Sequence, residues 1–116
     1  MSKMADEVGA MFKEVFPLEP LVPEYYVNYK GTQLFFDYYA KGLALLFEIQ
    51  GRQHYHFVKH FHGTVEAFRA QKYRDNLKKE YVEENPSLVI VYFHDDKDKI
   101  TKELFLKRIY EAQNNG

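Results

Sequence analysis

The chain contains no cysteine among its 116 residues. This absence excludes disulfide bonds, thiolate catalysis and cysteine-ligated zinc. Tryptophan is absent as well, yet ten tyrosines and ten phenylalanines bring the aromatic share to 17%. Material for a folded core is therefore ample, and a disordered chain is not expected. The length predicts a single domain over residues 1–116.

Long hydrophobic runs are also missing. The longest stretch without a charged residue spans only residues 85–94, far short of the roughly 18 residues that a membrane helix needs. Charged residues (Lys3, Asp6, Glu7 and Lys13) occupy the first turns, which is unlike a secretory signal peptide. We therefore expect an intracellular, cytoplasmic protein without a membrane partner.

The net charge is close to zero, at −1, which argues against a protein that simply coats nucleic acid. The distribution of the charge is uneven, however. Residues 52–79 hold seven Lys and Arg against two Asp and Glu, whereas the segments 1–28 and 80–116 each carry a net charge of −3. A nearly neutral protein of this kind can present one positive face.

Apolar periodicity and turn residues predict seven elements in the order αβββαβα. Helices are expected over residues 4–16, 64–84 and 101–113, and strands over 24–29, 33–39, 43–50 and 88–93. The long middle helix is expected to bury Phe68, Tyr73, Leu77 and Tyr81. A meander followed by a helix and a further strand predicts a mixed sheet flanked by helices, which is a three-layer α/β sandwich.

Two carboxylates interrupt the apolar strands of the second predicted hairpin, Asp37 in the first strand and Glu48 in the second. If the hairpin closes around Gly42 and Leu43, facing positions sum to 85, so Asp37 lies opposite Glu48 and Gln50 shares the face of Glu48. Opposed carboxylates repel each other, and a divalent cation between them removes that repulsion. The alternative is that one carboxylate points to solvent from an edge strand.

The Glu48-x-Gln50 spacing has a second meaning. Many metal-dependent nucleases place an Asp, and then a Glu or Asp two residues before a Lys, on adjacent strands. The acids hold Mg²⁺, and the third residue positions the attacking water. Gln50 can form the same hydrogen bonds as that lysine, but it cannot act as a cationic acid or as a general base.

Four segments carry a resemblance to a known family: residues 36–39 (FDYY), 47–55 (FEIQGRQHY), 61–63 (FHG) and the Gln, Arg, Asp and Lys of 71–78. They resemble small phage and bacterial endonucleases of the PD-(D/E)XK restriction-endonuclease-like superfamily. These enzymes are similar to freestanding homing endonucleases and to the catalytic domain of the very-short-patch repair endonuclease. The resemblance covers roughly residues 3–93.

The resemblance implies a restriction-endonuclease-like sandwich and a DNA endonuclease that uses Mg²⁺, with Mn²⁺ as a substitute, to leave 5′-phosphate ends. It implies that Asp37 and Glu48 hold the metal, with the Ile49 carbonyl as a further ligand. Glu7 of the first helix would complete the acidic cluster, with Asp6 and Glu14 as weaker matches. Gln50 takes the place of the usual lysine, and His54 would orient water or donate to a phosphate oxygen.

On the long helix, Gln71, Asp75 and Lys78 fall at i, i+4 and i+7 and share one face. We hypothesise that Lys78 supplies the positive charge that Gln50 lacks. Contacts with the DNA, chiefly through its phosphates, are expected from seven polar or basic residues of the segment 52–79: Arg52, Gln53, Arg69, Gln71, Lys72, Arg74 and Lys79.

Several alternatives remain open from the sequence. His54, His56, His60 and His62 have a spacing that would suit a zinc site. The protein can be a catalytically inactive DNA-binding module of the same fold, or a nuclease that resolves junctions or cleaves RNA. A homodimer is expected if both DNA strands are cut. His94 and the aspartates that follow it (Asp95, Asp96 and Asp98) are expected to form a solvated surface loop and helix cap.

Overall fold

The structure is a computed structural model that describes residues 1–51 and 63–115. Its elements, in chain order, are α1 (Lys3–Val15), β1 (Val22–Tyr29), β2 (Thr32–Ala40), a 3₁₀ turn (Lys41–Leu43), β3 (Leu45–Gln50), α2 (Val65–Glu84), β4 (Val89–His94) and α3 (Lys102–Asn114). The strands lie in the order β1-β2-β3-β4, antiparallel except for the parallel pair β3 and β4. The predicted order of elements and the mixed sheet are confirmed.

Each α-helix of the described chain begins at a hydroxyl residue that caps it. The side-chain oxygens of Ser2, Thr64 and Thr101 accept hydrogen bonds of 3.1–3.2 Å from the main-chain N–H groups three residues later. Such caps satisfy donors that the first helical turn cannot pair internally. The helix starts are therefore set by local sequence, and they fall where the sequence predicts them.

Helices α1 and α3 cover one face of the sheet, and α2 covers the other. On the first face, Phe47, Phe93 and Phe105 stack with ring centroids 5.8–6.5 Å apart, beside Val8 and Phe12 of α1. Burial of each such side chain stabilises the fold by about 1.5–3 kcal/mol. This gives the three layers that the sequence predicts.

Helix α2 buries only part of the stripe that the sequence predicts: Leu77 is buried and Tyr81 packs against the same cluster, but Tyr73 does not. Tyr73 is 58% exposed, whereas Asp75 is only 9% exposed. The prediction that Tyr73 is buried is therefore wrong. At 100° per residue, Tyr73 shares a face with Leu77, one turn later, so the burial of this stripe ends between the two residues. Asp75 and Lys78 lie on another side of the helix, where the inward residues are polar.

The even-numbered side chains of β2 change from one side of the sheet to the other at Asp37. Leu34 and Phe36 pack beneath α2, whereas Tyr38 and Ala40 pack in the cluster beneath α1 and α3. Residues two apart in a regular strand share a face, so the exchange requires an irregularity at the residue between Phe36 and Tyr38.

The neighbouring strand is distorted at the same level. The β1–β2 ladder pairs residues whose numbers sum to 61 on both sides of this point, but it omits the pair of Glu24 and Asp37. Glu24 has a φ of 49°, in the left-handed region that few residues other than glycine adopt. The sheet is thus locally broken at Asp37.

Within residues 1–51 and 63–115, no helix combines the length and the apolar character that crossing a bilayer requires.

The packing of α1 on the sheet depends on Gly9, which lies against Tyr38. The hydroxyl of Tyr38 donates a 2.8 Å hydrogen bond to the carbonyl of Ala5, and this bond holds the ring across the helix. A Cβ atom at position 9 would lie 2.8 Å from Cζ of that ring and closer still to its hydroxyl oxygen.

Gly9→Ala is expected to lower the free energy of unfolding by about 1–2 kcal/mol, measured by urea denaturation. In an unobstructed helix the same change is stabilising by about 0.5–1 kcal/mol, but overpacking against a buried ring costs about 1–3 kcal/mol. Gly42→Ala is the control, because its Cβ would meet only the mobile carboxylate end of Glu19. A Gly9→Ala protein as stable as the wild type would contradict this account of the helix–sheet contact.

Candidate active site

The β2–β3 hairpin has the register that the sequence predicts. Tyr38 pairs with Phe47 and Tyr39 with Leu46, so facing residues sum to 85. The ladder stops at Tyr38, which leaves Asp37 and Glu48 as the next facing positions.

Beyond the last pair of the ladder, side chains replace main-chain partners. The N–H of Asp37 donates a 2.9 Å hydrogen bond to Oε1 of Glu48, and the N–H of Ile49 donates a 2.8 Å hydrogen bond to Oδ2 of Asp37. Each carboxylate therefore reaches the main chain of the other strand, and the two side chains lie together where β2 and β3 separate. Hydrogen bonds from N–H groups favour the charged form of a carboxylate, which offsets part of the repulsion between the two.

Helix α2 brings a cation to this pair. Nζ of Lys78 lies 2.9 Å from Oε2 of Glu48, and the two side chains are only 14% and 4% exposed. The same ammonium group lies 5.3 Å from the centre of the Phe36 ring. Lys78 thus contacts the carboxylate pair from the long helix on which the sequence places it, and the role hypothesised for its charge stays a prediction.

Burial raises the pKa of Glu48 to about 7, because the charged form loses its hydration between the strands. Lys78 opposes this rise and the neighbouring Asp37 adds to it. A carboxyl group with this pKa is partly protonated at neutral pH, so its charge depends on the cation beside it.

The other predicted site residues of β3 and α2 differ in position and in burial. Gln50 ends β3, faces His94 in the parallel ladder, and accepts a 3.0 Å main-chain hydrogen bond from Asp95. Gln71 is partly buried and Asp75 is buried on the same side of α2 as Lys78.

The basic residues of α2 lie mainly on its outer surface. Arg69, Arg74 and Lys79 are exposed, whereas Lys72 is partly buried and has an interaction partner. The helix therefore has a polar inner stripe at the candidate site, and its exposed surface mixes these three cations with four acids, Glu66, Glu80, Glu83 and Glu84.

Glu7 does not join the two carboxylates. It is partly buried on α1 and lines a shallow cavity with Lys3 and Asp95, and no three His, Asp or Glu side chains in the described parts of the chain form a potential metal-binding group. The reason is that α1 packs on the face of the sheet opposite α2, while Glu48 turns towards Lys78 on α2. The weaker matches, Asp6 and Glu14, are exposed on α1.

Six sequence predictions lie outside the described residues, because they fall in the segment 52–62. They concern the DNA contacts Arg52 and Gln53, the proposed catalytic His54, and the remaining histidines of the zinc alternative, His56, His60 and His62.

The segment after β4 differs from the predicted solvated loop. His94 is the last residue of β4, and its N–H donates a 2.7 Å hydrogen bond to Asp98. Arg108 of α3 donates two 2.8 Å hydrogen bonds to the same carboxylate. Burial alone would raise the pKa of Asp98, but these donors hold it below its ordinary value. Asp95 and Asp96 are exposed, as expected. No local pattern could identify Asp98, since its partner is ten residues away on another element.

The raised pKa of Glu48 predicts a particular dependence of stability on pH. Between pH 4.5 and about 7 the folded protein retains a proton that the unfolded chain releases, so rising pH lowers the stability over this interval. Glu48→Gln removes this contribution. Without metal, we expect the variant to gain up to about 3 kcal/mol relative to the wild type as the pH rises from 4.5 to 7.5.

Urea denaturation of both proteins in EDTA at a series of pH values measures this difference. The change of the difference with pH is the informative quantity, because the substitution also alters the hydrogen bonds to Lys78 and Asp37 by an amount that does not depend on pH. Glu83→Gln, on the exposed surface of α2, should give a curve parallel to the wild type. Parallel curves for Glu48→Gln and the wild type would show that Glu48 titrates alike in both states.

Viral proteins are similar to this chain. It is 35% identical over 92 residues to uncharacterized protein 307L of Invertebrate iridescent virus 6, a match that covers 71% of this chain and 47% of the relative. It is 38% identical over 60 residues to uncharacterized protein 033L of Invertebrate iridescent virus 3, which covers 52% of this chain and 31% of that relative. The chain therefore spans about half the length, or less, of these relatives. No protein-family model and no solved structure matches it. These relatives come from viruses of invertebrates, whereas the resemblance implies a bacterial or phage setting.

Proposed function

We propose that this protein is a metal-dependent endonuclease that hydrolyses phosphodiester bonds of double-stranded DNA. In this proposal the α/β sandwich is of the restriction-endonuclease-like kind. One observation carries the proposal. The carboxylates of Asp37 and Glu48 each accept a main-chain hydrogen bond from the opposite strand where β2 and β3 separate, and Lys78 contacts Glu48. The viral relatives suggest that the enzyme acts in a virus-infected host cell.

The burial of Glu48 is the first argument for a metal. A buried ion pair is often no more stable than apolar side chains of the same volume, so such a pair is a poor device for stability alone. The carboxyl groups of Asp37 and Glu48 meet where the β2–β3 ladder ends, and they take the place of main-chain partners there. This arrangement is explained if the charges serve a ligand.

The chemistry of the donors fits Mg²⁺ or Mn²⁺. Both ions prefer oxygen ligands, and a carboxylate oxygen that accepts one hydrogen bond retains a second lone pair. Asp37 and Glu48 would hold the ion, with the Ile49 carbonyl as a further ligand. When bound, such an ion polarises the scissile phosphate and lowers the pKa of a water molecule.

Lys78 has two roles in this proposal. Its charge lowers the pKa of Glu48 against the effect of burial, and so favours the ionised carboxylate that binds a cation. The same ammonium group would stabilise negative charge that develops on the phosphate. Gln50, at the end of β3, would hold the attacking water by hydrogen bonds.

In this proposal individual cations of α2 bind the substrate, although exposed acids (Glu66, Glu80, Glu83 and Glu84) accompany them on the helix. Arg69, Arg74 and Lys79 are exposed there, on the same helix that delivers Lys78 to the carboxylates. Contacts between such residues and phosphates position the duplex without recognising its sequence. They also make binding sensitive to salt. A homodimer would follow if both strands are cut.

Cleavage of supercoiled plasmid tests the proposal directly. With Mg²⁺ or Mn²⁺ we expect nicked or linear products from the wild type, and none in EDTA. Asp37→Asn and Glu48→Gln each remove a charged ligand, so the rate should fall at least about 100-fold. Glu83→Gln is the matched control and should cleave at the wild-type rate.

The other outcomes separate the alternatives. Binding without cleavage, unaffected by Asp37→Asn, would indicate an inactive DNA-binding module. Cleavage restricted to four-way junctions or to RNA would replace the substrate in this proposal. Cleavage of the plasmid that survives Glu48→Gln would refute the assignment of the site.

Lys78→Met tests the cation separately, since methionine retains much of the side-chain volume. We expect the cleavage rate at pH 7 to fall about 10- to 1,000-fold with the fold intact, because a single charge that stabilises a transition state has an effect of this size. Loss of the cation also raises the pKa of Glu48, so the acidic limb of the pH–rate profile should move to higher pH.

The control for this variant is Lys107→Met, an exposed lysine on α3. Circular dichroism and urea denaturation establish that both variants are folded. A folded Lys78→Met protein with the rate and pH profile of the wild type would exclude Lys78 from the site.

A further inference from the structure

The odd-numbered side chains of β1 change from one side of the sheet to the other at Glu24. Tyr25 packs in the cluster beneath α2, whereas Pro23 lines a cavity with Gly9 of α1. Residues two apart in a regular strand share a face, so the main chain has to depart from the extended conformation between these two residues. The departure is at Glu24, whose φ is 49°.

The irregular residues of β1 and β2 lie directly opposite each other. The ladder between these strands keeps one register on both sides of the break and omits only the pair of Glu24 and Asp37. Side chains of a directly facing pair lie on the same side of the sheet, so the two strands have to change sides at the same level. The main-chain conformation of Glu24 is therefore coupled to that of Asp37.

The side chain of Glu24 does not account for this conformation. Glu24 is exposed, so burial of its side chain does not select a left-handed main chain. Glycine, and to a lesser extent asparagine, adopt a positive φ readily, whereas the Cβ atom of a glutamate disfavours it. Conformations of this kind persist where the surrounding structure imposes them, and they are concentrated at functional sites.

The break directs the side chain of Asp37 towards β3. In a regular continuation of the first half of β2, Asp37 would share the face of Phe35, which is 52% exposed on the side of the sheet opposite α2. Instead, Oδ2 of Asp37 accepts the 2.8 Å hydrogen bond from the N–H of Ile49, next to Glu48. The carboxylate thus reaches the candidate site because both strands change sides at this level.

From these observations we propose that Glu24 is a positioning residue for the candidate site, and that its left-handed main chain, not its carboxylate, holds Asp37 where it binds a divalent cation. The inference rests on the proposed function for the cation, whereas the link between Glu24 and the hydrogen bond from Ile49 to Asp37 does not need it. A residue that prefers the extended conformation at position 24 would favour a regular pair with position 37 and draw Asp37 away from Ile49.

Four substitutions at position 24 separate the main chain from the side chain, with Mn²⁺ affinity measured by electron paramagnetic resonance. Glu24→Gly adopts a positive φ without steric cost, and Glu24→Gln removes only the charge, so both should bind Mn²⁺ within about two-fold of the wild type. Glu24→Val and Glu24→Thr disfavour a positive φ, because their side chains are β-branched. These two variants should bind Mn²⁺ about 5- to 30-fold more weakly.

Hydrogen exchange of the Ile49 amide, measured by NMR in EDTA, is a second readout that needs neither metal nor cleavage. This amide donates to Asp37 and is expected to be protected in the wild type. Glu24→Val and Glu24→Thr should accelerate its exchange about 5- to 30-fold, whereas Glu24→Gly should leave the exchange unchanged.

Lys30→Val is the matched control, because Lys30 has a φ of 50° in the turn between β1 and β2. It introduces the same conflict between a β-branched residue and a positive φ, but at the end of the hairpin remote from Asp37. The variant should lose thermal stability and keep the Mn²⁺ affinity and the Ile49 exchange of the wild type.

Thermal denaturation checks that each variant is folded, and Glu24→Thr replaces Glu24→Val if the valine variant does not fold. Folded β-branched variants with the Mn²⁺ affinity and the Ile49 exchange of the wild type would overturn the inference. An equal loss of affinity in Glu24→Gly or Glu24→Gln would overturn it as well, because the carboxylate of Glu24 would then itself be a ligand. A wild type that does not bind Mn²⁺ would count against the proposed function, and the exchange of Ile49 would still decide whether Glu24 positions Asp37.

Discussion

The carboxylate of Glu48 lies between two strands, almost entirely withdrawn from water, and its contacts with neighbours determine much of the surrounding structure. One oxygen accepts a hydrogen bond from the main-chain N–H of Asp37, and the other accepts one from the ammonium group of Lys78 on α2. Without these donors a buried charge would shift its proton equilibrium or unfold the region. The hydrogen bond from Asp37 and the inward course of Lys78 both serve to keep this group hydrogen-bonded.

The break in the sheet gives that arrangement its place. Because β2 exchanges its faces at Asp37, the strand contributes to the phenylalanine-rich core on one side and to the α2 layer on the other. The left-handed backbone of Glu24 in the neighbouring strand permits the same exchange there. A regular ladder would have turned Asp37 to one face and away from Ile49. The left-handed main chain of Glu24 thus accompanies an arrangement in which the carboxylates of Asp37 and Glu48 each bind the opposite strand.

Sequence reasoning was most successful where neighbours are local or related by a simple register. The caps at Ser2, Thr64 and Thr101 depend on residues three positions apart, and the facing of β2 and β3 depends only on where their turn closes. It failed for Tyr73, because the length of a helix that the sheet covers is decided by tertiary packing and not by the periodicity of its apolar residues. The resemblance pointed to Glu7, but α1 packs on the opposite face and the described residues contain no three-membered acidic group.

The sequence by itself determined the order of the elements, the register that brings Asp37 opposite Glu48, and the turn of α2 on which Lys78 lies, since periodicity and turn chemistry act over a few residues. Only the tertiary structure decided that main-chain N–H groups donate hydrogen bonds to the two carboxylates. It alone also decided that Lys78 contacts Glu48 and that Arg108 forms an ion pair with Asp98. It also decided which face of the β1–β2 hairpin stays bare. These features depend on how distant elements approach one another, and that approach is set by the packing of the whole core.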